Sequence, residues 1–183
     1  MDWIDALGEE SHRQREAQQL LRASRLEKNR IVLANLPTLW SVVCARVQEQ
    51  AAKLQKTCAS HTELNVEFVP MQVPTAPAGC GPQYLPSDAV HAFRLFRTML
   101  PSRILQAAVG NDGISIQLLI GAKRTRESRE DLTSKRIAVD AADDDNSLKF
   151  IVDGVDYTEP EELAKCFFSW VLDRNIDGAL LRQ

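Results

Sequence analysis

Apolar and polar positions change period several times along the chain, and each change marks an element. From Glu9 to Leu36 there is neither Gly nor Pro, and Gln, Arg, Glu, Leu and Ala dominate, all good helix formers. The apolar positions of this segment are sparse at first (Ala17, Leu20, Leu21, Leu26) and dense from Ile31 to Ala34. That pattern predicts a long helix, mostly solvated in its first half. Leu36-Pro37 predicts a break, because proline removes a backbone donor and biases the preceding residue away from helix. A second helix is then expected to about Thr57, with Leu36, Trp40, Val43, Val47, Ala51 and Leu54 at 3-and-4 spacing. This stripe fits packing on the domain's own sheet better than a coiled-coil arm, since a strict heptad lasts only two to three repeats.

Beyond residue 60 the period shortens to two. Leu64 to Val69 alternates, with Leu64, Val66 and Phe68 on one face, and predicts a half-buried strand. Pro70 to Pro86 holds five prolines and two glycines and reads as a loop. Ser87 to Leu100 fits either a short helix capped by Ser87 or a strand over His91 to Thr98, and the strand is preferred because it continues into the next one as a meander. Arg103 to Ile120 is the strongest hairpin signal: two β-prone runs around Gly110-Asn111-Asp112-Gly113, residues that tolerate the positive φ of primed turns. Lys123 to Ser134 is expected to be a charged connection. Lys135 to Asp140 and Ser147 to Asp153 then form a second hairpin around Ala141 to Asn146. The last helix starts from Thr158-Glu159-Pro160-Glu161, read as a capping box with Thr158 as N-cap and Glu161 reaching back, and carries Leu163, Ala164, Phe167, Phe168, Trp170 and Val171. Residues 177–183 are expected to be a tail.

These elements add up to an α+β fold: an antiparallel sheet of five to six strands, built from hairpins and a meander and covered by helices. The expected organisation is an N-terminal helical segment over 1–60, broken near Pro37, and a sheet with a capped C-terminal helix over 61–183. The two parts form one cooperative domain, for which 183 residues suffice.

Composition narrows the functional classes. Apolar residues are 44% and charged residues 26%, an ordinary globular mixture. A net charge of −3 carries no global signature of nucleic-acid or anionic-membrane binding. Cys44, Cys58, Cys80 and Cys166 are scattered without a Cys-x-x-Cys pair, as in a reduced, cytoplasmic protein. The first residues show no basic n-region or long apolar h-region, and no uninterrupted apolar run approaches the ~20 residues that span a bilayer.

The search for chemistry yields little. His12, His61 and His91 have no metal-ligand spacing, and the acidic tip Asp140, Asp143, Asp144, Asp145 lacks the EF-hand register. No phosphate-loop motif occurs. Cys80, between Gly79 and Gly81, is the one conceivable nucleophile, but no orienting group accompanies it. No cofactor or metal is expected, and a non-enzymatic protein is. The unusual feature is charge: Lys123 to Arg136 carries six basic and three acidic residues, and Asp140 to Glu162 carries nine acidic residues against Lys149 alone. The leading expectation is an interaction module, adaptor or chaperone-like, self-associating through the N-terminal helices around Leu20 and Leu21. One alternative is a small-molecule or lipid-binding domain on the sheet face that bears Ser115, Gln117 and Gln106. The other is nucleic-acid binding through Arg124, Arg126 and Arg129. A protein partner or self-association is thus expected, a small-molecule ligand is allowed, and nucleic acid is disfavoured.

Overall fold

Helix formers without interruption, followed by a train of period-two segments, become one helix and one continuous meander. The computed structural model describes residues 3–61, 64–71, 92–97, 99–123, 131–142, 147–174 and 176, with side chains from residue 7 onward except that of residue 131. Helix α1 spans Trp3–Thr57. The strands are β1 Val66–Met71, β2 Ala92–Arg97, β3 Ser102–Val109, β4 Ser115–Lys123, β5 Asp131–Ala141, β6 Leu148–Val152 and β7 Val155–Tyr157, and helix α2 spans Pro160–Leu172. All seven strands pair antiparallel in chain order, one strand more than the upper bound expected from sequence.

The extra strand is β7. Asp153 and Gly154 have φ of 52° and 82°, and Val152 pairs with Val155 around them. Two successive residues with positive φ make the tightest primed turn, whose twist matches that of the flanking strands. The ambiguous segment is strand β2, with Phe93 and Leu95 buried on one face and Arg94 and Phe96 half-buried on the other. Strand β1 begins two residues later than expected and takes in Pro70, which an edge strand tolerates. Strand β5 begins at Asp131, inside the expected connection, because pairing with β4 extends to Ala122 opposite Asp131. The Pro-rich loop beyond Met71 and the tail over 177–183 lie outside the described residues.

The break at Pro37 does not occur: α1 continues through it. Proline removes one amide donor, but Val32, Leu36, Trp40, Val43 and Val47 are all buried on the same side of the helix, and that packing outweighs a local propensity cost of about 3 kcal/mol. Side-chain bonds flank the site, Asn35 Nδ2 donating to Ile31 O at 3.0 Å and Ser41 Oγ to Thr38 O at 2.8 Å. Helix α2 also starts differently from expectation. Its N-cap is Glu159, extended at φ −94° and ψ 129°, with no side-chain cap bond. Pro160 holds the first helical position, and a residue before proline is driven into extended geometry, so the start moves one residue past Thr158.

The core lies between one face of the sheet and the two helices. Trp40 of α1 stacks on Phe93 of β2 at 5.9 Å between centroids and meets Phe150 of β6 and Phe167 of α2, each at 6.4 Å. The central hairpin has the faces its alternation predicts: Leu105 opposite Ile120, Ala107 opposite Leu118 and Val109 opposite Ile116 point into this core. One stretch of α1 is long and apolar enough to cross a membrane by length and composition. Its buried residues from Val32 to Ala51 are core residues of the sheet.

Trp40→Ala removes the residue that joins both helices to the sheet and is expected to cost about 3–5 kcal/mol in urea unfolding. A loss below about 1 kcal/mol would show that the aromatic cluster is not the centre of the fold.

Candidate functional site

Among the described residues, two surfaces stand out beside the core: the first half of α1 and the sheet face opposite the helices. Every side chain from Leu7 to Glu27 is exposed, whereas from Val32 onward the same helix buries a full stripe. The arm from residue 7 to residue 30 extends about 36 Å at 1.5 Å per residue. Leu20 and Leu21 lie on it at 73% and 61% exposure, with Leu7 at 56% and Leu26 at 70%. Local pairs support its helicity: Glu9 with Arg13 at 3.7 Å, His12 with Glu16 at 3.3 Å and Glu27 with Arg30 at 3.6 Å. Such pairs contribute a few tenths of a kcal/mol each.

The outer sheet face carries Arg94, Gln106, Leu119 and Ser134 in one row across β2 to β5, and Ala92, Ala108, Gln117 and Arg136 in the next. Gln106, with its amide oxygen toward Arg94, accepts from Nη2 at 2.8 Å and Nε at 3.0 Å. Gln117 is exposed on this face, but Ser115 is buried beside the hairpin turn. Its hydroxyl donates to the Asp112 carboxylate at 2.9 Å, and Arg136 pairs with the same carboxylate. Burial alone raises the Asp112 pKa, but the Ile114 amide, the Ser115 hydroxyl and Arg136 outweigh it and hold the carboxyl below its usual range. Ser115 therefore locks the turn, while Gln117 faces outward. Arg124, Arg126 and Arg129 lie outside the described residues, as do Cys80 and His91.

Sequence reasoning missed an inner polar cluster. Arg97 and Arg103 face each other across β2 and β3 on the buried side, and Arg97 is only 8% exposed. Arg97 donates to Leu172 O at 2.8 Å and Pro101 O at 2.6 Å. Arg103 donates to Trp170 O at 3.0 Å, pairs with Asp173 at 2.8 Å and lies over the Trp170 ring at 5.2 Å. Two cations thus hold the carbonyl end of α2, where the helix dipole favours positive charge. Burial, and then the Arg103 charge, lower the Arg97 pKa. The available signal was alternation itself, which places Arg97 in step with Phe93 and Leu95, and Arg103 in step with Leu105 and Ala107.

A cleft of about 390 Å³ opens between the end of α1 and β1, lined by Gln55, Cys58, Ala59, Asn65, Glu67 and Phe68. Cys58 is partly exposed beside it; Cys44 and Cys166 are buried. Burial pushes the Cys44 thiol up to about 12 and the Cys166 thiol up to about 11. Burial, then contact with Cys166, also drives the Tyr157 phenol up to about 12. Among the described residues no group of three or more His, Cys, Asp or Glu is placed to hold a metal ion.

At mildly alkaline pH, Cys58 is expected to react with a thiol reagent in the native protein, while Cys44 and Cys166 react only on unfolding; equal native rates would refute their burial. Tyr157 is neutral in the folded state to about pH 12, against about 10 in the unfolded chain. Its contribution to stability is therefore complete below pH 10 and lost as pH rises through that window. Tyr157→Phe should flatten the fall in stability there, and an unchanged slope would contradict the assignment.

No protein-family model, no curated protein and no solved structure matches this chain.

Proposed function

We propose that the protein is a non-enzymatic interaction module whose body displays the arm of α1 as its docking element. The observation that carries this reading is the contrast within a single helix. From Val32 to Ala51 its stripe is buried to completion, and from Leu7 to Glu27 nothing in the described structure covers it. The buried half supplies the helical nucleus, so the arm propagates from a fixed template instead of meeting the nucleation cost of an isolated helix. A polar helix that leaves its body in this way is suited to bridging or docking, and its exposed leucines offer apolar anchors to a partner groove or helix. The two-arginine grip on α2 and the aromatic core hold the body together without side chains from Leu7 to Glu27.

The test compares the full chain with a variant lacking residues 1–29, each sized in native extract of cells that express it. The full chain is expected to travel well above the 20.5 kDa of one copy. The shortened chain should retain its near-ultraviolet circular dichroism and return to monomer size. A full chain that travels as a monomer in extract, or a shortened chain that keeps the larger size, would overturn the reading.

A further inference from the structure

Resting on the arm as the docking element, we propose that its occupant is the same arm of a second copy, laid antiparallel. The charge pattern carries this step. Between Asp5 and Glu16, α1 holds four acidic residues (Asp5, Glu9, Glu10, Glu16) against Arg13 and Arg15; between Ala17 and Arg30 it holds Arg22, Arg25, Lys28 and Arg30 against Glu27 alone. The arm is therefore acidic in one half and basic in the other. The intrahelical pairs within each half leave Arg15, Arg22 and Arg25 without a partner among the described residues. Two arms side by side and parallel would stack acid on acid and base on base, which is repulsive along the whole contact. Reversing one arm places each acidic half on a basic half.

The position of the charge switch sets the alignment. At 3.6 residues per turn, Leu7, Glu10, Leu21 and Arg25 share one stripe of the arm. A partner arm laid antiparallel on that stripe sets Glu10 of each copy beside Arg25 of the other. This isologous arrangement closes on itself at two copies. It also sets the two bodies at opposite ends of the rod, because the sheet covers α1 only from Ile31 onward. The apolar content of the contact is modest, so its strength depends on charge and is sensitive to salt.

Sedimentation equilibrium on the purified full chain tests this. The expected species is a dimer of twice 20.5 kDa, weakening by at least about tenfold when salt rises from about 0.1 to 1 M and the Debye length falls to about 3 Å. The pairs Glu9→Lys/Glu10→Lys and Arg22→Glu/Arg25→Glu should each weaken the dimer by at least about tenfold, and near-ultraviolet circular dichroism confirms that the body is intact. Combining all four changes in one chain should restore self-association, with itself and not with the wild type, which a parallel pairing does not allow. A purified chain that is monomeric at every concentration, reversals without effect, or a fourfold variant that stays monomeric would each overturn the proposal. A purified monomer that still travels large in extract would refute the second copy alone and leave the arm as a docking element for another protein.

Discussion

The contact on which the rest of the molecule depends is the one between Trp40 and the three phenylalanines around it. Trp40 comes from α1, Phe93 from β2, Phe150 from β6 and Phe167 from α2, and Phe93 also stacks on Phe68 of β1 at 5.5 Å. Four aromatic side chains from elements far apart in sequence thus meet in one knot, with Phe93 and Phe167 themselves 5.9 Å apart. Aromatic pairs at such separations contribute about 0.5–1.5 kcal/mol beyond the area they bury. The same knot explains why Pro37 does not end α1: the helix is anchored three residues later by a side chain with no exposure at all. It also decides which face of the meander is inside, and so which side chains are left facing out.

At the other end of the core, Arg97 and Arg103 perform a different task. Helix α2 finishes with Asp173 in the left-handed region, the Arg174 amide donating to Ser169 O and the Asp173 amide to Trp170 O. This closure satisfies the last carbonyls from within the chain, and the two guanidiniums satisfy those of Leu172 and Trp170 from the sheet. With both helices held on one sheet face, the described side chains from Leu7 to Glu27 stand clear of the body. Among the described residues, the arm and the outer sheet face are the surfaces that lie outside this core.

Periodicity made most of this architecture legible. The alternation of Leu105, Ala107 and Val109 against Ile116, Leu118 and Ile120 predicts the central hairpin and its inner face, and the stripe from Leu36 to Ala51 predicts the buried half of α1. What escaped reading has identifiable physical causes. Asp153-Gly154 makes the two-residue primed turn expected instead at Gly110 to Gly113, where only Gly113 has positive φ, but a strand of three residues is too short to show a period. Pro37 was outweighed by long-range packing that no local rule contains. Thr158 lost the cap position to the constraint that Pro160 places on Glu159. Arg97 and Arg103 look like solvated charges until the register sets them on the inner face, where the end of α2 meets them. The exposed leucines of the arm were visible as sparse apolar positions, and the separation of charge along it acquires meaning only once the helix is seen to leave the body.

The central claim is that α1 is one helix with two fates: its half beyond Ile31 is fixed by the fold, and its exposed half is, as we propose, covered by a second copy. Residue-resolved hydrogen exchange along α1, measured on the purified chain over a dilution series, tests it most directly. Amides from Val32 to Ala51 should show protection close to global stability at every concentration. Those from Glu9 to Arg30 should be protected at high concentration and lose that protection on dilution. Uniform protection along the whole helix, independent of concentration, would contradict the account.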